Sequence, residues 1–199
     1  MNAPVQHSAL SGLCVPGTHG AGTRDPGVVI AERRGLRIIA LRGRLSDAAF
    51  VATATRVTGL ALPAQPLTVT TAGAASALWM GPDEWMLVAP GTGIPDAGAL
   101  QAAGLIATDV SHGRACLRIA GRDARTLLAK GIPIDLHPRA FAPGRCASTS
   151  LARLGVTLHL VDGTPTWHLY AMRSYFVSLW QWVEHSAAEF GYRIDPPVS

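Results

Sequence analysis

Residues 109–146 carry the pattern that decides the fold, and they read DVSHGRACLRIAGRDARTLLAKGIPIDLHPRAFAPGRC. The apolar residues of 115–120 predict a strand, which Gly121 interrupts. Residues 122–130 predict a short helix, because their apolar positions recur at helical spacing and give one apolar face. Gly131 is suited to end that helix, and a loop rich in proline and arginine follows. We therefore expect a strand, a helix and a constrained loop in succession.

An altered copy of this pattern occurs earlier in the chain. Four residues recur after 82 positions: Gly81, Trp85, Leu87 and Ala89 return as Gly163, Trp167, Leu169 and Ala171. The Leu-Arg-Ile triplet at 36–38 returns at 117–119, and the Gly-Arg pair at 43–44 returns at 121–122. Three signals at similar spacing predict an internal duplication. Each half reads as strand, strand, helix, three strands and helix, and the matched tryptophans are predicted to be packing residues.

We predict an α+β fold made of two duplicated halves, each an antiparallel sheet with helices packed on one face. Residues 27–195 are expected to form a single domain, with halves at about 27–104 and 105–195. Because each half is too small to bury its own apolar face, we expect the two to fuse into one core. Residues 1–26, rich in Ser, Gly, Thr and Pro, are predicted to be an extended arm, either disordered or docked on a partner.

The composition favours a protein with a permanent partner. The 199 residues are 48% hydrophobic and 15% charged, and the mean hydropathy is +0.24. Surplus apolar surface of this kind is commonly covered by another chain. The net charge is +4, and Lys130 is the only lysine. The arginines are scattered rather than clustered, so the sequence predicts no nucleic-acid binding.

The sequence also predicts a cytoplasmic location. No apolar run reaches the ~18–20 residues that cross a bilayer, so we expect no membrane association. The first basic residue is Arg24, which does not fit an export signal. Cys14, Cys116 and Cys146 lie far apart, and this predicts reduced thiols and no structural zinc.

Three polar residues near the centre of the chain invite a catalytic interpretation. The side chains of Asp109, Ser111 and His112 are those of a catalytic triad. The three residues are too close in the sequence to form one, because triads are assembled from distant segments. We expect Asp109 or Ser111 to close a turn before Gly113. His112 alone is a candidate for contact with a ligand or partner. The sequence therefore predicts no self-sufficient active site.

Two further segments are candidate contacts with another subunit. In the proline-rich loop, Arg139, Phe141 and Arg145 are expected either to anchor a partner or to form a surface loop with one buried Phe. In the last helix, Tyr175 and Trp182 flank a broad apolar stripe. They are either the margin of a wide core face or aromatic contacts with another chain.

Several motifs resemble the gamma subunits of heterotetrameric sarcosine oxidases. The resemblance rests on GPDEWMLVAP at 81–90, DVSHGR at 109–114, LLAKGIPIDLHPRAFAPGRC at 127–146 and RSYFVSLWQWVE at 173–184. It extends over roughly residues 28–192, and the segment TWHLY at 166–170 departs from the family's more usual acidic residue near His168. The resemblance implies a fold like the folate-binding domain of aminomethyltransferases.

The resemblance also implies a role inside a complex. Such oxidases convert sarcosine to glycine and hydrogen peroxide, with formaldehyde or methylene-tetrahydrofolate as the one-carbon product. It implies FAD, FMN, NAD, zinc and tetrahydrofolate in the partner subunits and no cofactor in this chain. The implied partners are the alpha subunit most directly, together with beta and delta. The alternative is a stand-alone folate-binding or aminomethyl-transferring protein that holds the pterin with Asp83, Glu84, Asp109 or Asp162.

Overall fold

The computed structural model describes residues 7–20 and 25–199, which form two sheets flanked by helices. The helices in this part of the chain are α1 (Ala48–Thr58), α2 (Ala97–Ala102), α3 (Ala124–Ala129) and α4 (Phe176–Ala187). The strands are β1 (Gly17–His19), β2 (Val28–Arg33), β3 (Leu36–Arg42), β4 (Val69–Ala72), β5 (Ala75–Gly81), β6 (Glu84–Pro90), β7 (Ile106–Asp109), β8 (Arg114–Ala120), β9 (Arg145–Leu151), β10 (Leu154–Asp162), β11 (Thr166–Met172) and β12 (Tyr192–Ile194). Short 3-10 turns cover Ser111–Gly113, Arg173–Tyr175 and Ala188–Phe190.

The two halves exchange their first strands. One sheet has the order β1-β12-β2-β8-β11-β10-β9, and the other has the order β4-β5-β6-β3-β7. Strand β2 comes from the first half but pairs with β8, whereas β7 comes from the second half but pairs with β3. Neighbours are antiparallel except for the parallel pair β12 and β2. The α+β fold of duplicated halves is thus confirmed, and the point after residue 104 does not separate the two sheets.

The strand register corrects one of the three repeat signals. In the first half, Ile39 lies opposite Leu87; in the second half, Leu117 lies opposite Leu169. Since Leu87 and Leu169 are equivalent, Ile39 corresponds to Leu117, which lies 78 positions later. The Gly-Arg pair has the same offset, so the expected match of 36–38 with 117–119 is wrong by three residues. A slip of an odd number of residues would place every side chain on the opposite face of the strand.

The single core expected from the sequence is divided into three. One cluster joins the seven-stranded sheet to α3 and α4, and a second joins the five-stranded sheet to α1 and α2. A third lies between the two sheets and contains Ile38, Met86, Cys116, Cys146 and Tyr170 among others. The reason is geometric, because helices cover only one face of each sheet and the remaining faces pack against each other.

The matched tryptophans occupy equivalent buried positions, as predicted. Trp85 on β6 packs at 5.8 Å from Phe50 of α1, measured between ring centroids. Trp167 on β11 packs at 5.4 Å from Phe141. The Nε1 of Trp85 also donates to the carbonyl of Pro63 at 3.0 Å. Each tryptophan therefore anchors the helix-covered core of its own sheet.

Residues 7–20 of the N-terminal arm differ from the prediction of an arm that is disordered or docked on a partner. Leu10 is only 1% exposed and belongs to the core beneath α3 and α4. Strand β1 pairs with β12, although the sequence predicted neither strand. This part of the arm is therefore folded onto its own chain rather than disordered or docked elsewhere, because burial of Leu10 and backbone pairing both stabilise it. Residues 1–6 and 21–24 lie outside the described part.

Candidate partner interface

A polar cavity that the sequence does not predict lies at one end of the seven-stranded sheet. It has a volume of about 190 Å³ and lies between the β2–β3 turn, the Ser111–Gly113 turn and the start of β8. Its charged lining residues are Glu32, Arg33, Arg34, Arg114 and Arg173. The arginines come from three distant parts of the chain, so no local pattern in the sequence signals that they converge.

Three of the four arginines are held by groups of their own chain. Arg34 forms a salt bridge of 2.6 Å with Glu32, whose side chain is buried and also accepts a hydrogen bond from Ser8. Arg33 donates to Nδ1 of His168 at 3.2 Å. Arg173 donates to the backbone carbonyl of His7. These contacts fix the guanidinium groups before any partner arrives.

Arg114 differs from the other three. It is half-buried at the start of β8, and among residues 7–20 and 25–199 it has no hydrogen-bond or ion-pair partner. Four guanidinium groups thus face the cavity against the single carboxylate of Glu32. Arginine stays charged at every physiological pH, so the cavity has an excess of positive charge.

An apolar groove adjoins the arginine cavity. It is lined by Ala9, Gly113, Met172, Ser174 and Val177, and it shares Arg173 with the cavity. Met172 is 43% exposed and Val177 is 37% exposed. Large apolar side chains left open beside charged ones are typical of surfaces that bind another protein.

The turn between β7 and β8 links the cavity to the groove. The Asp109 carboxylate accepts from the backbone of Ser111 at 2.8 Å, and the Ser111 hydroxyl accepts from the backbone of Ile38 at 2.8 Å. Burial raises the pKa of Asp109, but the bonds from Ser111 outweigh it and hold the pKa below its usual value. The prediction that these residues close a turn agrees with this geometry. His112 is exposed on the same turn.

The proline-rich loop buries the aromatic residue that was expected to anchor a partner. Phe141 is 4% exposed and packs against Trp167, so it is a core residue, in keeping with the alternative of a surface loop with one buried Phe. Burial of the Phe141 ring in the core with α3 and α4 stabilises the fold more than exposure of the ring to solvent would. Arg139 is exposed. Arg145 is half-buried at the start of β9, where it forms an isolated bridge with Thr68, the residue before β4.

The two aromatic residues of the last helix segment are half-buried. The hydroxyl of Tyr175 donates to the carbonyl of Gly155 at 3.0 Å. Trp182 packs over Gly131, where an added β-carbon would lie 2.5 Å from its ring. The predicted contact residues therefore lie in three separate regions. His112 is on the β7–β8 turn, Arg139 and Arg145 are in and just after the proline-rich loop, Tyr175 is in the 3-10 turn before α4, and Trp182 is on α4.

The four carboxylates considered for a pterin are all engaged locally. Asp83 accepts from the backbone of Leu45, and Glu84 pairs with Arg42. Asp109 closes its turn as described. Asp162 accepts from the backbone of Thr164 and Thr166 at 2.9 Å each. Each therefore has a structural role in a turn or at a strand end.

The three cysteines are free thiols in the structure. Burial raises the pKa of Cys116 to about 12 and that of Cys146 to about 11, so both remain protonated and unreactive near neutrality. The described ranges contain no group of three or more His, Cys, Asp or Glu residues that could hold a metal ion. In those same ranges, no helix has the length and apolar character needed to span a membrane.

The chain is similar in sequence to sarcosine oxidase gamma subunits. A family model described as the sarcosine oxidase gamma subunit family matches residues 42–189. The chain is 32% identical over 195 residues to sarcosine oxidase subunit gamma of Corynebacterium sp. (strain U-96), covering 94% of this chain and 90% of that protein. It is 34% identical over 170 residues to the subunit gamma of Arthrobacter sp, covering 82% and 79% of the two chains.

Solved structures agree in fold. A chain of the heterotetrameric sarcosine oxidase from Corynebacterium sp. U-96, solved in complex with pyrrole 2-carboxylate, superposes with a TM-score of 0.83 at 28% identity, covering 93% of this chain and 96% of that one. Aminomethyltransferase T of the glycine cleavage system from Bartonella henselae has a TM-score of 0.58 at 13% identity, covering 83% of this chain and 50% of that one. The second likeness shows the shared fold alone. The chain belongs to the sarcosine oxidase gamma subunit family.

Proposed function

We propose that this chain is a structural, non-catalytic subunit of a flavin-dependent heterotetrameric sarcosine oxidase. The observation that carries the proposal is the likeness over nearly the whole chain to a chain of a heterotetrameric sarcosine oxidase. The surface supports it, because a cavity with an excess of positive charge lies beside exposed apolar side chains. The chemistry is oxidation of the N-methyl group of sarcosine by dioxygen, with water entering, to give glycine, formaldehyde and hydrogen peroxide.

Within that complex, we propose that the alpha subunit is the most direct partner and that beta and delta complete the assembly. FAD, FMN, NAD, zinc and tetrahydrofolate are assigned to those partners. The local bonding of Asp83, Glu84, Asp109 and Asp162 supports this division, because these carboxylates already hold turns and strand ends. The location is the cytoplasm, where three free cysteines are kept reduced.

Five of the predicted contact residues remain part of the proposal. His112 and Arg139 are exposed, while Arg145, Tyr175 and Trp182 are half-buried with part of each side chain open. Arginine and aromatic residues are enriched where interfaces are energetically strongest. Phe141 is excluded from this set because its ring lies in the core.

The test is co-expression of the other three subunits with and without this chain. The proposal predicts that omission lowers the yield of assembled complex and with it the hydrogen peroxide formed from sarcosine. A matched control restores the chain from a second plasmid and should recover both quantities. If three subunits assemble and turn over sarcosine equally well without this chain, the proposal is wrong. Titration of the isolated chain with tetrahydrofolate checks the stand-alone alternative, and the subunit role predicts no tight binding.

A further inference from the structure

We propose that the arginine cavity and the adjoining apolar groove together receive one partner subunit of the oxidase, which seats an acidic side chain against Arg114 and apolar side chains over Met172 and Val177. The inference rests on the proposed function and assigns it a specific surface. We call the two features together the composite surface. It comprises the cavity residues Glu32, Arg33, Arg34, Arg114 and Arg173 and the groove residues Ala9, Gly113, Met172, Ser174 and Val177.

The charge on the composite surface favours a carboxylate as the group that enters. Four arginines line a cavity with one carboxylate, and that carboxylate is already engaged by Arg34 and Ser8. Arg114 has no partner among residues 7–20 and 25–199. Guanidinium groups bind carboxylates through two parallel hydrogen bonds, and an entering acidic side chain would neutralise part of the excess.

The cavity is already arranged for such a contact. Arg33 is held by His168, and Arg173 is held by the carbonyl of His7, so neither must be ordered when the partner binds. The Ser111 hydroxyl fixes the neighbouring turn to β3 at 2.8 Å. Preorganised groups lose less conformational entropy on association, which strengthens binding for the same contact area.

The apolar groove argues for a protein rather than a free small acid. Met172 and Val177 are exposed next to Arg173, which belongs to both features. A small carboxylate would fill the cavity of about 190 Å³ and leave these side chains in water. A polypeptide can cover both, and a polar contact beside a desolvated apolar patch is the usual anatomy of a protein interface.

The experiment measures assembly of purified variants with the other three subunits, by surface-immobilised binding at low and high salt. Arg114→Glu should raise the Kd at least ~10-fold and reduce its salt dependence, because it places like charges in contact. Val177→Gln should raise the Kd about fivefold without changing the salt dependence. Arg56→Glu, the same charge change on an exposed position of α1, should stay within about twofold. Thermal unfolding of each isolated variant should match the parent within about 2 °C.

The outcomes separate this inference from the proposed function. If the parent chain joins the complex and Arg114→Glu joins it with the same Kd, the composite surface is not the docking site, whereas the proposed function stands. If the parent chain joins no complex, both fail. If the isolated chain binds succinate through Arg114 while assembly of Arg114→Glu is unchanged, the cavity serves a small carboxylate and the inference is overturned.

Discussion

Replacing Phe141 by alanine distinguishes a core residue from an interface anchor. The ring is 4% exposed and lies 5.4 Å from the Trp167 ring at an interplanar angle of 36°. Removing a buried Phe side chain costs about 3–5 kcal/mol, which includes the lost transfer free energy and the cavity that remains. Because Phe141 lies in a loop that can relax, we expect the lower end, about 3 kcal/mol.

The assay is urea unfolding of the purified chain, followed by tryptophan fluorescence. For a domain of this size, a loss of about 3 kcal/mol also lowers the Tm by roughly 6–12 °C. Arg139→Ala is the matched control from the same loop, and its exposed side chain should change the free energy of unfolding by no more than about 0.5 kcal/mol. Phe141→Leu, which keeps most of the volume, should cost less than about 1.5 kcal/mol.

One pair of results would show that Phe141 is not a core residue. If Phe141→Ala costs less than about 1 kcal/mol of unfolding free energy but weakens assembly at least ~10-fold, the ring is a partner contact rather than part of this core.

Three further predictions test other parts of the structure. Burial lowers the pKa of His159 to about 4 and that of His168 to about 2, so the unfolded chain takes up protons near and below pH 6.5 that the native chain does not. The free energy of unfolding should therefore be level above pH 7 and fall by about 2–4 kcal/mol between pH 7 and pH 5, and replacing both histidines by Gln should flatten this dependence in urea melts. Leu10→Ala should cost about 2–4 kcal/mol of unfolding free energy in the same melts, and a loss below about 0.5 kcal/mol would show that the arm does not pack on its own chain. Gly121→Ala should lower the Tm by several degrees, since its φ is 110° and the new β-carbon would lie 2.5 Å from the Gly27 carbonyl oxygen. Gly163→Ala meets nothing within 4 Å and should be nearly neutral in differential scanning calorimetry, so equal effects would contradict the close approach of Gly121 to Gly27.

The fold was predictable where the sequence pattern is long and periodic. The stripe of α4 and the strands around Trp85 and Trp167 follow from apolar spacing, and both tryptophans are buried as expected. Strands β1 and β12 were not predictable, because three residues carry no measurable period and their conformation depends on pairing, of β1 with β12 and of β12 also with β2. Local sequence therefore determines the elements more completely than it determines their partners.

The exchange of β2 and β7 and the composite surface depend on tertiary structure. Nothing in the sequence near Val28–Arg33 indicates that this strand pairs with β8 of the other half. The same exchange brings Arg33 and Arg34 beside Arg114, which is why scattered arginines meet in one cavity. The turn at Asp109 was predictable because its hydrogen bonds are local, whereas the burial of Phe141 depends on Trp167, which lies 26 residues further along.

Native mass spectrometry of the complex purified through a tag on this chain tests the central claim most directly. We expect a single assembly with one copy of this chain and one copy of each of three other subunits. The same fraction should form hydrogen peroxide when sarcosine is added. A monodisperse monomer of this chain, beside an active complex composed of the remaining subunits alone, would contradict the account.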